Sequence, residues 1–221
     1  MLGNRKAFET HVTRTVLEAV PKEFFVELQR RAQAAYRDEF HSVKNCPTVL
    51  PEQRLAKLKA DRQSRMEWEL HQAAIAAGVH VTATPVVEND WSYVYAKSSS
   101  IGLTQSYVQF RGDLPKEAKF RERLAAASQF PQLPLAGESP SLYEPCEFYA
   151  LIAHNPIGHQ FTDNKQMLGS IELCVPDSAM KRWVFQKSLT EIIGLYPTVA
   201  KRQIASRDPT LKKGAQQQRK K

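Results

Sequence analysis

The stretch Gly78–Phe110, GVHVTATPVVENDWSYVYAKSSSIGLTQSYVQF, decides how the chain folds. Before it, apolar residues recur every three or four positions. Within it they alternate, and β-branched and aromatic residues dominate Val79 to Val87, Trp91 to Lys97 and Ile101 to Phe110, which marks three strands. Ser98-Ser99-Ser100 can turn between the second and third, so an antiparallel hairpin is the cheapest topology.

Upstream, Phe8, Val12, Val16 and Ala19 or Val20 lie on one helical stripe ending near Pro21. Pro21 suits the first turn of a second helix, whose apolar stripe Phe25, Leu28, Ala32, Ala35 and Tyr36 runs towards Phe40. Pro51-Glu52 opens a third, longer helix that Gly78 stops. Leu55, Leu58, Met66, Leu70, Ala73 and Ala77 give that helix a core side. Arg54, Lys57, Lys59, Arg62 and Arg65 crowd its first half and alternate with Glu52, Asp61, Glu67 and Glu69, which reads as a solvated face of intrahelical pairs.

Downstream, Pro115 begins a short charged helix reaching about Ser128, anchored by Phe120 and Leu124. Residues 129–145 carry Pro131, Pro134, Pro140, Pro145 and Gly137, the composition of extended, exposed chain and a place for a subdomain break. Glu147 to Ala153 is apolar on both alternating faces, as in a central strand covered on both sides. Ser170 to Val175 alternates apolar and polar residues and has one core face. Asp177 to Ile193 fits a helix in part and a strand in part. The expected fold is therefore α+β: an N-terminal layer of three helices on a mostly antiparallel sheet, with residues 1–200 as one domain and 201–221 as a disordered basic tail.

The sequence of 221 residues is 42% hydrophobic and 24% charged, close to ordinary globular composition, and long enough to bury its own core. The longest strongly apolar run, Phe148 to Ala153, falls far short of the roughly 20 residues of a spanning helix, so no membrane partner is expected. Nor does the start of the chain read as a secretion signal. Cys46, Cys146 and Cys174 form no Cys-x-x-Cys pair, which points to the cytoplasm or another reducing intracellular compartment.

The formal charge is +8, but its distribution matters more than its size. Residues 201–221 hold eight cations, Lys201, Arg202, Arg207, Lys212, Lys213, Arg219, Lys220 and Lys221, against Asp208 alone, a balance of +7 that leaves +1 for the body. So polar a tail does not repay its ordering entropy, and it suits phosphate backbones or acidic protein surfaces. Trp91, Tyr93 and Tyr95 share one strand face beside Lys97. That is the pattern of a base-stacking platform, weighed against the commoner reading in which large rings cover a helical layer.

For catalysis the signals are sparse. The loop after the central strand holds His154, His159, Asp163 and Lys165, but two histidines five apart lack a third ligand, so no metal and no cofactor is expected. A restriction-type nuclease centre needs an acid with a lysine two residues on, and Glu172-Leu173-Cys174 puts cysteine there. Glu172, Asp163 and His154 are the candidate catalytic residues if any phosphodiester chemistry occurs. The sequence therefore points first to a non-enzymatic protein associated with nucleic acid or a nucleoprotein complex. A metal-dependent nuclease or other phosphodiester enzyme, and a protein-interaction subunit of a larger assembly, are the alternatives.

Overall fold

A computed structural model describes residues 2–86, 91–128 and 148–197. The expected tail 201–221 with its eight cations, the proline-rich stretch 129–145 and Cys146 lie outside the described residues.

Helix α1 (Leu2–Ala19) buries Val12 and Val16, and Pro21 caps α2 (Lys22–Lys44) in extended conformation. After a 3-10 turn at Pro51–Gln53, α3 (Arg54–Ala76) runs antiparallel to α2, because Arg31 meets Glu69 while Tyr36 meets Arg62. Gly78, at φ +68°, makes the left-handed turn that releases the chain into the sheet, a conformation side chains disfavour.

Among the described residues six strands follow in spatial order β1 to β6: His80–Val86, Trp91–Ser98, Ile101–Tyr107, Phe148–Pro156, Leu168–Pro176 and Trp183–Ser188. Every neighbouring pair is antiparallel except β3 and β4, which run parallel from Ile101↔Phe148 to Tyr107↔His154. A parallel pair needs a long crossover. It contains α4 (Lys119–Ala127), which lies on the opposite sheet face from α1, α2 and α3 and packs Ala125 with Tyr149, Leu151, Ala153 and Cys174. The expected three-helix layer on a mostly antiparallel sheet is thus present, with α4 forming a third layer.

Asp177 to Ile193 is not one element. After a turn with Met180 at φ +55°, it forms β6 and then α5 (Leu189–Leu195). The break falls at Ser188, whose hydroxyl accepts from the Glu191 amide while the Glu191 carboxylate accepts from the Ser188 amide. The third strand stops at Tyr107, short of Phe110. As expected, β4 is central and buried along its whole length. No helix among the described residues is long and apolar enough to cross a membrane.

The faces of β2 are the reverse of those expected for a sheet whose rings cover the N-terminal helices. Val94 and Ala96 join the main core beneath those helices, while Tyr93 stacks on Phe120 of α4 at 4.0 Å and Tyr95 lies over Gly102. The small residues of β2 let α3 come close to the sheet. A second departure concerns Arg62, Glu67 and Glu69, read from their spacing as a solvated face. All three are buried, because α3 packs on α2 with one flank and on the sheet with another.

Candidate functional site

Strands β2 and β3 pair only at Ala96↔Leu103, Lys97↔Gly102 and Ser98↔Ile101, whereas β1 follows β2 along its full length. Beyond Ala96 the sheet is split. Side chains of α3 fill the gap: Glu67 Oε2 accepts from the Val94 amide at 2.7 Å, and Gln63 Oε1 accepts from the Tyr107 amide at 3.3 Å. These contacts satisfy main-chain donors that a continuous ladder would otherwise have paired.

A buried polar chain starts from the same carboxylate. Gln105 Nε2 donates to Glu67 Oε1 at 2.7 Å and to the Gln63 carbonyl at 3.2 Å; His154 Nε2 meets Gln105 Oε1 at 2.7 Å; the Tyr36 hydroxyl meets His154 Nδ1 at 2.7 Å. The Gln63 main-chain carbonyl only accepts, which fixes the direction of the others. Gln105 turns its amide group to Glu67 and its oxygen to His154, so the imidazole carries its proton on Nε2 and accepts the Tyr36 proton at Nδ1. Burial holds the imidazole neutral, with its pKa lowered to about 3, aided by the Arg62 guanidinium. Burial also lifts the Glu67 carboxyl to about 7, against the hydrogen bonds from Val94 and Gln105, and pushes the Tyr36 phenol far above its usual range.

Arg62 closes the far end. Its guanidinium lies 4.2 Å from the Tyr36 ring centre and donates to Gln166 Oε1 at 2.7 Å, to the Gln166 carbonyl, and to the Tyr36 carbonyl at 3.1 Å. Gln166 ties this cluster to the loop after β4 by donating to the Gly158 and Gln160 carbonyls. The loop is therefore held against the ends of α2 and α3, where Phe161 and Met167 pack on Phe40, Val43 and Leu58.

The three candidate catalytic residues are not brought together. His154 points to the helical layer inside the chain just described. Glu172 lies on the opposite sheet face, accepting from Arg111 Nε and Gln186 Nε2 at 2.7 Å each. Asp163 sits exposed on the loop, 4.0 Å from His41 and 3.8 Å from Lys44. Among the described residues no group of three or more His, Cys, Asp or Glu is placed to hold a metal ion. Of the expected platform, Tyr93 and Tyr95 are half-buried against α4 and Gly102, Lys97 is exposed, and the Trp91 ring lies outside the described part.

A different surface combines rings with cations, at the ends of the parallel strands. Phe110 is 53% exposed in an edge-to-face contact with His159, ring centres 4.6 Å apart. Lys59 lies 6.0 Å over the half-buried Tyr107 ring, and the Lys165 side chain rests on Gly158. These residues come from α3, the end of β3 and the loop after β4, so linear spacing could not group them. The available signal was Phe110 itself, the last aromatic of the stretch expected to form the third strand, followed by Arg111-Gly112-Asp113. No family model, no curated protein and no solved structure matches the chain.

Proposed function

We propose that this protein associates with nucleic acid without cleaving it, through the surface at the carboxyl ends of β3 and β4 together with the basic segment 201–221. The exposed Phe110 ring beside His159, with Lys59 over the Tyr107 ring and Lys165 against Gly158, is the observation that carries the reading. An aromatic ring held at the surface offers a stacking face to an unpaired base, and ammonium groups within reach suit the adjoining phosphates. The eight cations of the tail supply sequence-independent attraction.

Fluorescence anisotropy of labelled single-stranded and duplex DNA and RNA, titrated with the full chain across a range of salt, tests this. Single strands are expected to bind more tightly than duplexes, with affinity falling as salt rises. Removing residues 201–221 lowers the salt dependence, and Phe110→Ala weakens single-strand binding by about 5- to 100-fold, the equivalent of one lost stack. The reading fails if the intact chain shows no salt-sensitive binding, or if neither change weakens it.

A further inference from the structure

Strand β6 ends at Ser188, opposite Glu172, and α5 turns away from that point. The first residues of β5, from Leu168 to Ile171, therefore extend past the end of β6 and leave a cleft of about 390 Å³ between β5, the start of α5 and helix α2. Its walls are polar: Gln29 and Gln33 from α2, Ser170 from β5 and Ser188 at the end of β6. Gln29 donates to Thr190 at 2.8 Å, fixing one side.

Glu172 stands in this cleft with its side chain only 2% exposed. A buried carboxylate is costly unless its acceptor positions are filled. It has about four such positions, and Arg111 Nε and Gln186 Nε2 take one on each oxygen. Arg111 in turn engages through Nε alone, with its side chain 66% exposed, although a guanidinium is built to grip a carboxylate with two parallel bonds. Its loop is nevertheless anchored, since Trp183 Nε1 donates to the Gly112 and Asp113 carbonyls at 3.1 Å. A fixed cation with spare donors thus stands beside a buried anion with spare acceptors, at the mouth of a hydrophilic cleft.

We propose that this cleft binds a small zwitterion of the α-amino-acid class. The ligand ammonium donates to the open positions of Glu172, its carboxylate accepts from the outer nitrogens of Arg111, and a polar side chain lies against Gln29 and Gln33. The volume lies in the range of small-molecule sites, roughly 300 to 1,000 Å³. Glu191 also lines the cleft, so a purely anionic ligand meets two carboxylates, while a purely cationic one leaves the outer nitrogens of Arg111 unpaired; a molecule carrying both charges satisfies both sides.

Isothermal titration calorimetry of the full chain with each of the common L-amino acids, and with the N-acetyl and carboxamide derivatives of any that binds, tests the proposal. Saturable binding of at least one polar amino acid is expected. Blocking either charge of the ligand, or making Arg111→Ala or Glu172→Gln, weakens it by about tenfold or more, the loss of one charge-assisted contact. Arg111→Ala leaves the buried Glu172 carboxylate without its charged partner and is expected to lower the thermal midpoint, so each titration is run well below the midpoint, and Arg111→Lys, which keeps the charge and drops the outer nitrogens, is expected to weaken binding as well. No saturable heat up to about 10 mM of any amino acid overturns the proposal, since weaker binding lies beyond the range of a built site. Binding that Arg111→Ala leaves unchanged overturns it equally.

Discussion

Glu67→Gln should abolish the loss of stability that the parent suffers as pH rises to about 7, at the fixed cost of one buried hydrogen bond. In the fold the Glu67 carboxyl holds its proton up to about pH 7, whereas its ordinary value is 4.5. Below the lower value both folded and unfolded chains are protonated, and the group has no effect on the balance. As pH rises from there to about 7, the unfolded chain releases the proton and the folded one keeps it, so stability falls; above about 7 the loss is complete. The gap between the two values corresponds to about 3 kcal/mol. Glutamine keeps the size and never ionises, but only its one oxygen accepts, whereas both Glu67 oxygens accept, from Val94 and from Gln105, so the variant loses one buried bond at every pH, about 1–3 kcal/mol. Urea unfolding followed by tryptophan fluorescence should show the variant less stable than the parent by that amount at about pH 4, and the difference moving by about 3 kcal/mol in the variant's favour by about pH 8.5. Comparing the two proteins cancels the titration of other groups. An equal difference at both pH values, or one that moves against the variant as pH rises, refutes the assignment of Glu67 as the buried acid that titrates near neutrality.

Tyr36→Phe removes the proton that His154 Nδ1 accepts and leaves a buried nitrogen unpaired, a loss of about 1–3 kcal/mol in urea unfolding with little change in the slope. Gly102→Ala places a methyl 2.1 Å from the Tyr95 hydroxyl and is expected to cost about 1–3 kcal/mol; Tyr95→Ala in the same chain should remove most of that increment, a non-additivity readable from thermal midpoints. Of the two described cysteines, both free, Cys46 is part-exposed and its thiol is lowered by a hydrogen bond from Thr48, while burial pushes the Cys174 thiol up. A thiol reagent followed by peptide mass spectrometry should label Cys46 in the native protein and Cys174 only with denaturant; early labelling of Cys174 contradicts the buried strand β5.

The switch from helix to sheet at Gly78 was legible because it is local: the period of the apolar residues changes from 3.6 to 2 within a few positions. Pairing partners are not local. Nothing in Ile101–Tyr107 or Phe148–Pro156 states that these strands lie side by side and parallel, since that follows from a crossover of about 40 residues. Charges on α3 misled for a related reason. A solvated helical face and a face shared between a helix and a sheet carry the same residue types, and only the second neighbour, supplied by the fold, separates Arg62 and Glu67 from Lys57.

The polar chain did leave a mark in the sequence. Ile101, Leu103 and Gln105 share one strand face, as do Ala150, Ile152 and His154, and in each set a polar residue ends an apolar row. Two such interruptions on neighbouring parallel strands, registered one step apart, are what place Gln105 within reach of His154, but only the strand pairing makes them adjacent. Filling the gap then falls to α3. A glutamate on its sheet-facing side is long enough to reach the Val94 amide only because β2 presents Val94 and Ala96, rather than Tyr93 and Tyr95, to the helix. The small residues of β2, the split from β3 and the near-neutral acid are thus one arrangement. Enlarging Ala96 to leucine should displace α3, deprive Val94 of its acceptor and lower the Glu67 pKa towards 4.5 as water enters. Carboxyl titration by NMR reads that pKa directly, and a value still near 7 in the Ala96→Leu protein would show that close packing on β2 is not what keeps the acid dry.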